Sequence, residues 1–525
     1  MPDKVIVTNL DELKRKYGTA GVASVKVAVD KLIAADAVLG IVSVLVDLSD
    51  SGTMAAYGFA PIPDMVPLDP VLYKDAVDKV YAHFAPSPDY LMLLGSVDVI
   101  PHIPLDNPLH NQIVDLGGDP DPDEQIPSDL PYASDQPYSA NAQDFIAPTR
   151  IVGRLPNVKG DHDPAYLVGL LDTAATYKQS AASDYSKFLG VSAEAWATST
   201  DLSLDAIFGT YGDAELSPPR EDNWTLDEAK SLSHFVNCHG AHGHPYFYGA
   251  TPPAIAVALS AARIGPMIAE GTVMTAECCY GAELYNPYNP AESIVLGQNG
   301  MCNTYLGNKA YAYFGSTNTS YGQTTGTDRA DVICKLFSKH LLGGASAGRA
   351  CLEARLEYVS GLGHSPTPDD VKTLAQFNLM ADPSLTPVAS TPRTVIALSR
   401  NSPSSARAAV ERHARQNRRA TLAALSSALW TYRLGKPKVP RGRVIVAKLQ
   451  ELAEANGIEP PYVMLTYPYG SPPPDTQVPG PPPKAVHVIM KRLPSPPNLP
   501  ALVLVRLIEA IEYEEALDVH VLESR

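Results

Sequence analysis

Over the first 390 residues, short apolar runs alternate with segments whose apolar residues recur every three or four positions. KVIVTN (4–9) reads as a strand, and LDELKRKYG after it as a short helix that Asn9 or Asp11 would cap. GVASVKVAVDKLIAAD (21–36) is amphipathic, GIVSVLVDL (40–48) is a buried type of strand, and VLYKDAVDKVYAHF (71–84) has helical spacing. YLMLLGS (90–96), PTRIVGRLP (148–156), SHFVNC (233–238), GTVMTAE (271–277) and YAYFGST (311–317) read as further strands. YLVGLLDTAATYKQ (166–179), DRADVICKLFSKHLL (328–342) and ASAGRACLEARLEYV (345–359) read as helices. Continuous apolar runs between helices are the pattern of a parallel sheet covered on both faces, hence an α/β fold.

Two stretches break the pattern. Residues 103–147 are polar and rich in Pro, Asp and Asn, a long loop of the kind that carries function. After about 390 the composition changes. Residues 399–438 are Arg-rich and of helical pattern, and 470–484 are Pro-rich and extended. RVIVAKL, AVHVIMKRL and ALVLVRLIEAIEYEEAL supply apolar material for a small α+β module. The expected division is a main domain over 1–390, a basic helical linker over 391–440 and a small α+β C-terminal module with a Pro-rich loop over 441–525.

Charge divides the chain at the same place. Residues 391–525 hold 18 Lys+Arg against 11 Asp+Glu, a net of +7, which leaves 23 against 46 and a net of −23 for residues 1–390. An acidic body argues against nucleic-acid binding there and favours intramolecular docking of the basic region. Arg400, Arg407, Arg412, Arg415, Arg418 and Arg419 crowd one segment, expected to act as a cis-cleaved or inhibitory linker or as a docking helix. No run of ~18 apolar residues predicts a membrane span. The first residues lack the pattern of a secretory leader, and six cysteines in 525 residues are too few for a disulfide framework. A cytoplasmic protein is the expectation.

Two phrases carry chemistry. FVNCHG and VMTAECC are each an apolar strand ending in a reactive residue, with Gly close behind. In a parallel sheet, strand C-terminal ends share one edge, where ligands bind. A thiol and an imidazole brought together there would form a nucleophile and its base, His239 with Cys279. The N–H groups of Gly240 and Cys279 would form an oxyanion hole. Cys278 would point to the opposite side of the strand as a buried thiol. Cys278 as nucleophile, in a Cys-x-x-Gly register, is the alternative.

A strand ending in His-Gly, followed some forty residues later by a strand ending in Cys-x-Gly, resembles caspase-like cysteine peptidases. DYLMLLGSVDVIPH (89–102), SDLPYASDQPYS (128–139), PTRIVGRLP (148–156), KAYAYFGSTNTSY (309–321) and FNLMADPSL (377–385) are similar, in order and spacing, to blocks of the gingipain-like cysteine peptidases. The resemblance covers roughly 1–390. It implies a caspase–hemoglobinase fold with a mostly parallel sheet flanked by helices, endopeptidase activity on protein or peptide substrates, and no cofactor. Gingipains cleave after Arg or Lys using an acid in the pocket, so a basic preference is expected.

Asp129, Asp135 and Glu277 are candidates to orient the histidine, and Asp144 is the candidate specificity acid. Glu277 and Cys279 lie two apart on a strand, so they project to one face. Two other readings stand beside the peptidase. One is a catalytically silent scaffold binding a partner through its C-terminal region. The other is a zinc hydrolase using Cys238, His239, His242 and His244, although that run matches no closed zinc spacing.

Overall fold

The computed structural model describes residues 1–110, 121–251, 254–363, 365–389, 433–470, 482–496, 499, 501–514 and 516–525. Its centre is a ten-stranded sheet. The strands are β1 (Lys4–Thr8), β2 (Ser43–Asp47), β3 (Tyr90–Leu94), β4 (Ile151–Leu155), β5 (Phe188–Ala193), β6 (Glu215–Ser217), β7 (Ser233–Asn237), β8 (Val273–Glu277), β9 (Ala312–Ser316) and β10 (Phe377–Met380). Their order across the sheet is β2-β1-β3-β4-β10-β9-β8-β7-β5-β6. Every neighbouring pair is parallel except β9 with β10, which is antiparallel. The sheet is therefore two parallel halves that run in opposite directions and meet at one seam. β1, β3, β4, β7, β8 and β9 are buried along their whole length, as continuous apolar runs require.

Local signals set the helices. Asn9, rather than Asp11, caps the helix Leu10–Val38: its side chain accepts from the N–H groups of Asp11 and Glu12. A break at Gly18 (φ 69°) divides that helix into the two segments the spacing suggests. The helices Ala330–Leu342 and Ala347–Gly361 pack on each other, and the apolar face of the first, with Ile333 and Phe337, covers the sheet around Phe314.

The long polar stretch after residue 103 is not structureless. Ile103–Asp106 pairs antiparallel with Gln125–Ser128, and single helical turns follow at Leu130–Ala133 and Ala142–Phe145. These strands are only four residues long, too short for a periodic signal. The Arg-rich segment at 399–432, with all six of its crowded arginines, lies outside the described residues. Residues 433–438 are extended rather than helical, with bridges from Leu434 to Tyr469 and from Lys438 to Thr466.

The C-terminal part is a helix, Arg443–Ala455, on an antiparallel sheet of β11 (Val463–Pro468), β12 (Ala485–Leu493), β13 (Leu504–Glu512) and β14 (Leu517–Ser524). Leu449 and Ala453 of the helix pack on Ile489, Ile508 and Ala510. The sheet continues into the main body, because β14 pairs with Tyr321–Gly322: Tyr321 lies opposite Ser524 and Gly322 opposite Glu523. Side chains reinforce the join. Fully buried Glu509 of β13 accepts from Arg329 Nη2 (2.7 Å), Thr367 Oγ1 (2.5 Å) and the Asp369 N–H (3.1 Å). A buried cation left with one partner fewer is costly. Arg329 keeps Asp328 and Asp370 (2.7 and 3.0 Å), so Glu509→Ala is expected to lower stability by about 1.5–3 kcal/mol, read as a drop in denaturant midpoint. A midpoint equal to the parent's would show that the join does not stabilise the fold.

Candidate active site

The site is built by register. β7 and β8 pair in parallel with Asn237 opposite Glu277, so the residues two beyond each, His239 and Cys279, emerge together at one sheet edge. Alternation along β8 then sorts the neighbouring side chains. Cys278 turns into the core, where its thiol donates to the Val236 carbonyl (3.6 Å). Cys279 turns to the edge, where its sulfur accepts from the Ser320 N–H (3.2 Å). Gly240 lies against the main chain of Cys279, and a Cβ there would collide with the Cys279 carbonyl. Tyr280, at φ 55°, begins the turn after the strand.

Arg525 occupies this edge. Its main-chain oxygen accepts from the N–H of Cys279 (3.1 Å) and, more weakly, from that of Gly240 (3.4 Å). Its own N–H donates to the Ser320 carbonyl (2.9 Å). Its side chain is fully buried in a pocket. There Nη2 donates to Asp331 Oδ1 (2.7 Å) and to the Gln323 carbonyl (2.6 Å). Nε lies 3.4 Å from Glu277 Oε1, and the guanidinium stacks 4.3 Å from the centre of the Trp196 ring. Ser199, bonded to Asp331, completes the wall. Gly322 roofs the pocket, and a Cβ there would collide with the guanidinium. The Trp196 ring also meets His239 edge-on at 4.4 Å, and the Ser524 main chain hydrogen-bonds to the His239 ring. Beside His239, a cavity of about 520 Å³ separates Trp196 and Ile255 of the body from Leu493, Pro496 and Leu504 of the C-terminal part.

Charge follows from burial. Burial pushes the Cys279 thiol up to about 12, against a downward pull from the Ser320 N–H. Burial, reinforced by the Arg525 guanidinium, pushes the His239 imidazole down to about 3. Burial and the Asp331 carboxylate raise Glu277 well above the usual carboxylate range, with Arg525 opposing. With Arg525 in place, thiol and imidazole are both neutral near pH 7.

The candidate acids separate. Glu277 stands under the arginine pocket rather than against the histidine, whose Nδ1 has no partner among the described residues. Asp129 forms a two-point ion pair with Arg154 (2.5 and 2.8 Å) inside the body. Asp135 lines a different cavity with Asp78 and Arg150. Asp144 accepts from Ser139 (2.6 Å) and pairs with Arg433. Asp129 and Asp144 are committed to partners, and Asp135 to a separate cavity, away from the strand edge. The histidine run also disperses: Cys238 is in the core, His242 pairs with Glu283 (2.5 Å), and His244 bonds to Tyr248 (2.6 Å). Among the described residues, no group of three or more His, Cys, Asp or Glu is gathered for a metal ion. Among them too, no helix is long and apolar enough to cross a membrane.

Sequence reasoning missed Trp196, Ser199, Gly322, Gln323, Asp331 and Arg525. Asp331 sits on a helix whose apolar spacing was legible, but nothing local marks one acid on it as a pocket residue. Arg525 lies more than two hundred residues from the strands it joins.

Comparison with known proteins defines the class. Residues 233–388 match the model of Peptidase family C25. That segment contains His239, Gly240, Glu277, Cys279, Gly322 and Asp331. The resemblance to gingipain-like cysteine peptidases is borne out there, and the chain is a cysteine peptidase, a hydrolase. The chain is also similar to solved structures described as the Arg-specific cysteine proteinase gingipain R (11% identity, 99% of this chain and 96% of that one, TM-score 0.48). A second is described as a complex of Porphyromonas gingivalis RgpB pro- and mature domains (10% identity, 99% of each chain, TM-score 0.49). A comparison with curated proteins finds no match.

Gly322→Ala is expected to push the Arg525 side chain out of its pocket. Hydrogen exchange of the 517–524 amides would rise while that of β8 stays slow. Unchanged exchange in 517–524 would show that the pocket does not anchor the segment.

Proposed function

We propose that this cysteine peptidase is an endopeptidase that cuts after arginine, with Cys279 as nucleophile and His239 as its base. The observation that carries the reading is the seating of Arg525: one main-chain oxygen between two converging N–H groups, one guanidinium on acids and an indole. A substrate arginine bound in the same way presents its carbonyl to Cys279.

The chemistry then runs in two halves. His239 takes the Cys279 proton, and the sulfur attacks the carbonyl carbon. The N–H groups of Gly240 and Cys279 hold the oxygen as it becomes negative. The C–N bond breaks as His239 returns the proton to the leaving amine, which leaves a thioester on Cys279. Water, giving its proton to His239, hydrolyses the thioester and frees the thiol. Glu277 is a pocket acid in this reading, not an orienter of His239. Desolvation separates thiol and imidazole from their reactive ion pair while the pocket is filled, and an opening site would relax both shifts.

The pocket favours arginine over lysine. The guanidinium lays its flat face on Trp196 while Nη2 alone donates to both Asp331 and the Gln323 carbonyl, and an ammonium has no such face to stack. Cys279→Ala is expected to abolish turnover of arginyl amide substrates, and His239→Ala to lower it by about 10²–10⁴-fold. Cys278→Ala should retain it. A Cys279→Ala variant as active as the parent would overturn the assignment. Asp331→Asn is expected to lower kcat/KM for arginyl substrates by about 10²-fold while sparing the slow cleavage of neutral ones. An equal loss on both would remove Asp331 from specificity.

A further inference from the structure

We infer that the segment 517–525 is a built-in, competitive ligand of the peptidase site, and that the protein is held latent until this segment is displaced. The inference rests on the arginine-specific reading above and names its regulation.

The contacts are those of a bound peptide, not of a chance covering. Strand β14 adds to Tyr321–Gly322 by main-chain pairing, which is how an extended peptide is held at a sheet edge. Ser524 reaches the His239 ring, Arg525 donates to Ser320, and its oxygen sits between Gly240 and Cys279. The arginine then fills the pocket. Main chain and side chain together therefore occupy the positions of the residues before the cut. Cys279 is 2% exposed and His239 6% exposed beneath this segment. The rest of the sheet, β11 to β13, tethers β14 to the body through Glu509 and Arg329. Tethering makes the contact intramolecular, at an effective concentration of about mM, so free substrate competes poorly.

Displacement needs no unfolding of the large sheet. β14 lies between β13 and the body, and its main-chain pairing with the body extends over Tyr321 and Gly322 alone, so the C-terminal sheet can leave as a unit. A partner that captures the β11–β14 sheet, or one that competes for the pocket through its own arginine, would open the site.

The test compares the full chain with its Arg525→Ala variant. Two rates are read on the same samples: alkylation of Cys279 by iodoacetamide, located by mass spectrometry, and cleavage of an arginyl amide. Arg525→Ala is expected to alkylate at Cys279 at least ten-fold faster, and to cleave faster with a lower apparent KM. Nα-acetyl-arginine, added to refill the vacated pocket, should restore protection in the variant and leave the parent unchanged. Equal alkylation rates in the two proteins would overturn the docking. Faster alkylation that Nα-acetyl-arginine does not slow would also overturn it, as general loosening rather than an emptied pocket. Faster alkylation with no cleavage by either protein would uphold the docking and remove the peptidase reading beneath it. Equal, measurable cleavage with equal alkylation would do the reverse.

Discussion

The parallel pairing of β7 with β8, Asn237 opposite Glu277, is the constraint on which the site depends. From that register His239 and Cys279 leave the sheet side by side. Gly240 must lie against the Cys279 main chain, which no Cβ would permit. The alternation that turns Cys279 outward turns Cys278 into the core and Glu277 into the arginine pocket. A one-residue slip would exchange these roles and put the wrong thiol at the edge. Register, not the reactivity of any one residue, decides which cysteine of the doublet faces a ligand.

The same economy extends to the pocket. Its acids come from a strand and from the helix Ala330–Leu342, its roof from the two-residue strand Tyr321–Gly322, and its side wall from Trp196. Two carboxylates share one space, so burial and repulsion from the Asp331 carboxylate raise Glu277, and the seated guanidinium opposes that rise without cancelling it. Filling the pocket relieves that repulsion, which gives an arginine an advantage beyond its hydrogen bonds. The burial that an arginine completes also holds the thiol and imidazole neutral. One segment thus blocks the site sterically and suppresses its reactivity.

Much of this was legible in the sequence. The apolar runs at 4–9, 90–96, 233–238 and 271–277 gave true strands because buried parallel strands are continuous in hydrophobicity. His239 and Cys279 were legible because reactive residues follow those runs. The antiparallel seam between β9 and β10 was not, because strand direction leaves no mark in a four-residue apolar run. Asp129, Asp135 and Asp144 were attractive as acids near a resembling block, yet tertiary packing pairs Asp129 with Arg154 and Asp144 with Arg433 and sets Asp135 on a separate cavity. The Arg-rich segment drew attention by composition. The arginine seated in the pocket is a single residue at the far end of β14, where composition is silent.

The most direct test of the account is covalent labelling with peptidyl acyloxymethyl ketones that differ only in the residue next to the warhead. Each reagent must displace the same segment, so the ratio of rates is free of docking. The account predicts an adduct on Cys279 alone, formed at least ten-fold faster with arginine than with lysine, leucine or aspartate. An adduct on Cys278, or equal rates for arginine and leucine, would contradict it.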